Sequence, residues 1–450
     1  MKKNLFLTCQ VFVFYQLAFL PNIFADISAG NPDQLQLLQN QISELKQLVL
    51  AQQKTISEQG KTLEDLKLKV EPGPRPSYIP SPGGEKTLPA WIEGMKMGGD
   101  FRLRYEGINK AGEATRDRNR FRFRIRYGIE KQLNDDFTVG FRLATGSNAD
   151  PTSTNQTFTG DFTHKNTFVE KAYVKYQANF LKDHFSALKF AEIGGGKVAN
   201  PYLETSGMMF WDADVTPEGI YESFETQFFD GKFRPFAIFG QFVLNETATA
   251  ADAEMFAYQT GYRLELGSNP QKPVTWTSAL AYYDLSDFTN SSNFTANGSS
   301  LAFGNTTLGS TDLAARDFNV MNIYQDLKFK VGELPVKLFG EYDHNLNEQA
   351  FDPNDRNQAY QFGLGLGETK LKGDWQTAWY YAYIEPNSIV GAISESDFGD
   401  GHANQMGNNF EANYMLTDFL KLRFKASFTN NVMGVDEETR RFQADLDWKF

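Results

Sequence analysis

From residue 90 to the C-terminus, apolar and polar positions alternate one by one. The clearest run is Phe121–Tyr127, where Phe121, Phe123, Ile125 and Tyr127 alternate with Arg122, Arg124 and Arg126. Successive side chains of a strand point to opposite faces, so this run predicts a strand with one apolar face and one row of arginines. The same period sets Arg102 and Arg104 between Phe101, Leu103 and Tyr105, and sets Arg142 between Phe141 and Leu143. Near the end, Leu420, Leu422, Phe424, Ala426 and Phe428 alternate with Lys421, Arg423, Lys425, Ser427 and Thr429. The final strand carries Phe442, Ala444, Leu446, Trp448 and Phe450 on one face, and Arg441, Gln443, Asp445 and Asp447 on the other.

A soluble sandwich also alternates, with its polar face in water and its apolar face on a second sheet. Two features favour a barrel in a membrane instead. The apolar faces are rich in aromatic residues near strand ends, as in interfacial girdles. The connections also alternate between short turns, such as Asn134–Asp136 and Lys372-Gly373, and long polar loops, such as Ser147–His164, Lys197–Pro217, Leu285–Arg316 and Pro386–Ala403. Short turns on one rim and long loops on the other describe an outer-membrane barrel. The count gives sixteen antiparallel strands starting near Gly94, Asn119, Phe137, Asn166, Phe185, Gly219, Phe233, Glu254, Val274, Phe318, Val336, Gln358, Asp374, Gln405, Phe419 and Thr439. An even number returns both ends to the periplasmic side, and sixteen strands leave room for a water-filled channel.

Before the barrel the period changes. Residues 1–25 have Lys2 and Lys3, an apolar stretch and Ala25 before Asp26, the pattern of a cleaved secretory signal. Residues 26–70 hold a heptad, with Leu35, Ile42, Val49, Ile56, Leu63 and Val70 at a and Leu38, Leu45, Gln52, Gln59 and Leu66 at d. That narrow apolar seam predicts an α-helical coiled coil, on the order of 55 Å long. β-branched residues at a with leucine at d lean towards a dimer. Residues 71–89 contain six prolines and read as an extended linker. The expected architecture is thus an all-β, 16-stranded antiparallel transmembrane β-barrel at 90–450, preceded by a periplasmic coiled coil.

Composition removes other classes. Lys and Arg number 44 against 56 acids, so a basic nucleic-acid binder is excluded. The one cysteine, Cys9, leaves with the signal, so no disulfide framework is expected. An enzyme would need a nucleophile with a base. Only four histidines occur, His164, His184, His344 and His402, and no Gly-x-Ser-x-Gly is present. Gly194-Gly195-Gly196-Lys197 lacks the spacing and following hydroxyl of a phosphate loop. No catalytic residue, cofactor or metal is therefore expected. The acid groups at Asp212–Asp214 and Asp397–Asp400 read as solvated loop clusters.

The chain resembles the putative porin family of Gram-negative bacterial outer membranes. The resemblance rests on Gly99–Glu106, Asn119–Arg124, Phe141–Gly146, Asn200-Pro201-Tyr202 and Trp211–Gly219. It implies a homotrimer, against the dimer lean of the heptad. It implies contact with outer-membrane lipid. It also makes Trp448 and Phe450 part of the terminal signal read by the barrel-assembly machinery, and has the third loop, Lys197–Pro217, fold into the lumen.

If the apolar faces meet lipid, their polar partners line the pore. Closing the barrel brings Lys421, Arg423, Lys425 and Arg441 beside Arg102, Arg104, Arg122, Arg124, Arg126 and Arg142, forming one basic wall. The third loop brings Glu204, Asp212 and Asp214, with Glu218 just beyond. The expected function is a porin passing small hydrophilic solutes and ions through a constriction with a basic wall facing an acidic loop. The alternative is a plugged barrel that tethers the outer membrane to peptidoglycan through the coiled coil.

Overall fold

In the computed structural model, the described residues are 92, 94–111, 117–203, 209–267, 273–287, 303–308, 312–313, 318–347, 354–434 and 437–450. The expected signal, coiled coil and linker lie outside them, as does Glu204. Leu88–Phe450 forms one compact unit.

Sixteen long strands run in chain order: β1 Met95–Lys110, β2 Arg118–Gln132, β3 Phe137–Thr145, β4 Thr167–Gln177, β5 Leu188–Lys197, β6 Glu218–Thr226, β7 Phe233–Asn245, β8 Ala253–Leu266, β9 Val274–Ser286, β10 Phe318–Val331, β11 Leu334–Asn345, β12 Gln358–Gly367, β13 Trp375–Ile384, β14 Gln405–Met415, β15 Leu420–Asn431 and β16 Glu438–Lys449. Each pairs antiparallel with its chain neighbour. β1 also pairs with β16, from Asp100 opposite Lys449 to Lys110 opposite Thr439, which closes the barrel. The C-terminal residue finishes the seam, since Gly99 N and Phe450 O are 2.9 Å apart. Closure leaves the sixteen-stranded sheet without a free edge among the described residues, which a sheet in lipid requires. All sixteen expected starts fall within three residues of the observed ones.

The alternation sets which face is which. Phe121 is 60% exposed, whereas Arg122 is 8% and Arg104 1% exposed. The outer surface is apolar, and the rim of short turns carries exposed Phe137, Phe185, Phe228, Phe229, Trp375, Phe419 and Phe450. This is the aromatic collar of a membrane interface. Loops L1–L8 leave the other rim, among them L2 (146–166), L3 (198–217), L5 (287–317) and L7 (385–404).

The inner face is not uniform. β1–β3 and β14–β16 line it with charges and amides. β7–β10 line it with Phe236, Ile238, Phe242, Met255, Tyr283 and Val320, all buried. These strands thus carry apolar residues on both faces, with Gln259, Asn322 and Asp326 as inward polar exceptions. Their inner apolar face is covered by L3 and L7, whose Tyr202, Met209, Phe210, Trp211, Ile389, Val390 and Ile393 join one buried cluster with it.

Two glycines on the inner face make room for tyrosines. Gly194 on β5 lies opposite Tyr221 on β6, and a Cβ at Gly194 would lie 2.2 Å from the Tyr221 ring. Gly140 seats Tyr173 in the same way. Tyr221 Oη then donates to Glu192 at 2.6 Å and Tyr173 Oη to Glu130 at 2.9 Å. Gly194→Ala must push the ring away, and is expected to cost about 1–3 kcal/mol, read as a lower urea midpoint of the refolded barrel.

Candidate functional site

The basic wall is built by strand register. Across β15, β16, β1 and β2 one row reads Arg423, Asp445, Arg104, Arg122. The next row towards the turn rim reads Lys421, Asp447, Arg102, Arg124, and the row on the loop side reads Lys425, Gln443, Glu106, Arg120. The inward acids of β16 and β1 are thereby interleaved with the cations. Arg102 Nε donates to Asp447 at 2.6 Å, and Arg104 holds Asp445 through two bonds of 2.8 Å. Arg124 and Arg126 share Asp100, at 2.6 and 2.7 Å. Arg142 pairs with Glu170 and Arg423 with Glu411. Glu106 meets Arg120, Arg122 and Arg441. Each of the ten predicted cations has a carboxylate within 4.0 Å; the longest pair is Lys421 with Asp447. Arg120 belongs to the same period-two row and was missed only by stopping one position short.

The loops supply the facing charges. L3 brings Asp214 to Arg126 at 3.2 Å and to Arg124 at 3.9 Å. Asp214 also accepts from the Thr154 backbone N–H and hydroxyl of L2, at 3.1 and 3.0 Å. Burial opposes its ionisation, but Arg124 and Arg126 outweigh it and hold the carboxyl below the usual range. Asp212 does not face the arginines. It accepts from Asp214 N and Ser396 N at 2.8 and 2.9 Å, and burial together with Glu395 and Asp214 pushes it well up. Glu218 begins β6, is exposed, and pairs with Lys197 at 2.7 Å instead.

L7 contributes more than L3 does. Asp397 accepts from Arg104, Arg441 and Gln443, each at 2.9 Å. Glu395 accepts from Lys425 at 3.2 Å, and Asp400 from Lys110 at 2.6 Å. Burial opposes the Asp397 charge, yet Arg104, Arg441 and Lys425 hold it well below the ordinary value of 3.8. L7 and L3 are bonded to each other: Asp212 N donates to Ile393 O at 2.8 Å and Ser396 N to Asp212. Asn305 of L5 donates to Pro386 O and Ile389 O at 2.6 and 2.7 Å, which ties a third loop in.

Two matches of one family model, residues 108–340 and 315–450, together run along most of the chain. The chain belongs to the Putative porin family. Solved porin barrels are similar to it at low identity. Pseudomonas putida OprB at high pH is 10% identical, with 80% of this chain and 95% of that one covered and a TM-score of 0.49. Salmonella typhi OmpF in complex with daunomycin is 12% identical, with 79% and 98% covered and a TM-score of 0.44. A triple mutant of Rhodopseudomonas blastica porin is 9% identical, with 79% and 100% covered and a TM-score of 0.41. No curated protein matches the sequence. In this porin, L2, L3 and L7 enclose a cavity of about 570 Å³ at the loop rim, with Asp150, Glu170, Asp214 and Glu218 against Trp211, Phe242 and Ile393.

Proposed function

We propose that this porin is a bacterial outer-membrane channel for small hydrophilic solutes and ions. Its passage runs along the ion-paired wall of β14–β3, between that wall and the folded-in L3 and L7. The observation that carries the reading is the continuous charged strip inside a barrel whose outside is apolar. Paired charges at close quarters make a transverse field that sorts solutes by size and polarity. Salt screens over about 8 Å at physiological strength, so the nearest charges dominate. The wall arginines then give a mild anion preference. The fold and its wall read as a conduit rather than an enzyme. Association as a homotrimer, insertion by the barrel-assembly machinery through Trp448 and Phe450, and a periplasmic coiled coil complete the proposal.

One observation favours the second reading, a plugged barrel. Each of the ten wall cations is already paired, and two loops occupy the apolar half of the lumen. Single-channel recording of the refolded protein in a planar bilayer under a salt gradient separates the two. Stepwise conductance in threes supports an open trimeric porin; silence from well-folded barrels supports the plug. Neutralising Arg122, Arg124 and Arg126 together is expected to move the reversal potential towards cations. An unchanged potential would remove these arginines from the constriction. A peptidoglycan pull-down that depends on residues 26–89 would support tethering.

A further inference from the structure

Across the lumen from the arginine wall lies a pair of acids that the basic wall does not reach. Glu341 and Asp343 take consecutive inward positions on β11 and are 4% and 0% exposed. Asn322 on β10 lies opposite Asp343 in register. Its Nδ2 donates to Glu341 Oε1 and to Asp343 Oδ1, both at 2.8 Å, so the two carboxylates converge on one amide. Glu341 Oε2 also accepts from Gln361 Nε2 at 2.5 Å and from the backbone N–H of Met209 in L3 at 3.2 Å. All these donors are neutral. No Lys, Arg or His of the described residues forms an ion pair with either acid, whereas the acids of the opposite wall have cations beside them.

Two enclosed oxygens make the deficit specific. Asp343 Oδ2 and Asn322 Oδ1 have no hydrogen-bond partner among the described residues, and both residues are fully buried. Both atoms only accept, so the group that satisfies them carries positive charge or a proton. Two buried carboxylates without a cation are costly. A divalent cation neutralises both. A proton on each acid would also neutralise the pair, and a midpoint sensitive to pH but not to calcium would reveal it. The donor set is entirely hard oxygen, two carboxylates and one amide carbonyl, which suits calcium with its flexible geometry. Magnesium demands a near-ideal octahedron and keeps several waters, which suits an enclosed wall site less well. We propose that Glu341, Asp343 and Asn322 form a binding site for a calcium-class divalent cation in the barrel wall beneath L3. The site stands on wall geometry and not on the channel reading. Because Met209 of L3 is bonded to Glu341, the cation would also fix where L3 docks.

The test uses the refolded full-length protein, stripped with chelator and titrated calorimetrically with calcium chloride and, separately, magnesium chloride. The expected result is one calcium per chain, weaker binding of magnesium, and a thermal midpoint raised by calcium. Asp343→Asn and Glu341→Gln are each expected to weaken calcium by at least about 100-fold, since loss of a ligand should cost no less than disturbance of a metal's supporting shell. Asp374→Asn, at a turn on the other rim, should bind as the parent does. If the two wall variants fail to give the heat-modifiable gel mobility of a folded barrel, the parent's stoichiometry still decides. A folded parent barrel that takes up no calcium overturns the proposal. So does uptake that survives in folded Asp343→Asn and Glu341→Gln. A midpoint indifferent to calcium but sensitive to pH would identify the pair as proton-sharing, and likewise overturns it.

Discussion

Asp397→Ala is expected to release L7 from the basic wall and raise single-channel conductance. Three side chains, Arg104, Arg441 and Gln443, converge on this one carboxylate. Arg104 is fully buried, and its other partner, Asp445, remains in the variant. Breaking a buried pair by removing one partner costs about 3–5 kcal/mol, because the other charge stays enclosed. Retention of Asp445 and the partial exposure of Asp397 place this change lower, at about 2–3 kcal/mol. The loss falls on the docking of L7 rather than on the barrel, whose strands keep their ladders. The freed Arg104 and Arg441 should also strengthen anion preference. Parallel recordings of parent and variant check both effects, and equal conductance with equal reversal potential would show that L7 does not narrow the passage.

The same residue predicts a pH dependence. Its carboxyl is depressed in the folded protein, so its contribution is present above the ordinary value of 3.8 and is lost as pH falls through the lower folded value. L7 should therefore stay latched at pH 5 and loosen only below 3.8. Asp212 acts with the opposite sign. Its raised value means that its contribution is complete below 3.8 and fades as pH rises through the folded value. The two act in separate windows, Asp397 below 3.8 and Asp212 above it, so the difference between parent and Asp397→Ala isolates the acid limb. Protease protection of L7 measured against pH is expected to show an acid limb in the parent and none in the variant.

Period-two alternation made β1, β2, β15 and β16 legible, because one face meets lipid and the other a polar lumen. Arg102, Arg104, Arg122, Arg124 and Arg126 followed from parity alone, and their clustering followed from closure. The inner face of β7–β10 was not legible in this way. Phe236-Ala237-Ile238-Phe239 is a continuous apolar run, the mark of a strand buried on both faces, and a rule that sends every apolar residue to lipid misreads it. L3 and L7 both carry acids, so acid content alone does not single out L7. Its signal was nonetheless in the sequence: Ile389-Val390-Gly391-Ala392-Ile393 is too apolar for a solvated loop, and it leads directly into Glu395 and Asp397. The Glu341, Asp343 and Asn322 grouping needed register as well as parity, since Asn322 becomes their neighbour only once β10 and β11 are aligned.

The apolar half of the lumen gives the second large effect, at Phe210. This L3 residue is fully buried and stacks on Tyr283 of β9 with ring centroids 4.1 Å apart. Trp211 meets the same tyrosine edge-on, and Tyr202 packs on both while its hydroxyl donates to Ala257 O at 2.9 Å. L3 is therefore held by an aromatic cluster on one side and by Asp214 on the arginines at the other. Phe210→Ala empties the centre of that cluster, and Phe→Ala changes in cores cost about 3–5 kcal/mol. A loop has less stability to lose than a barrel, so L3 is expected to undock while the barrel stays folded. Recordings should show larger and noisier currents, and heat-modifiable gel mobility should be unchanged. Asp214→Asn removes only the polar anchor and should shift ion preference with a smaller change in conductance. If Phe210→Ala instead unfolds the barrel, the loop cluster is part of its core, and L3 is a structural plug rather than a constriction seated on a self-sufficient wall.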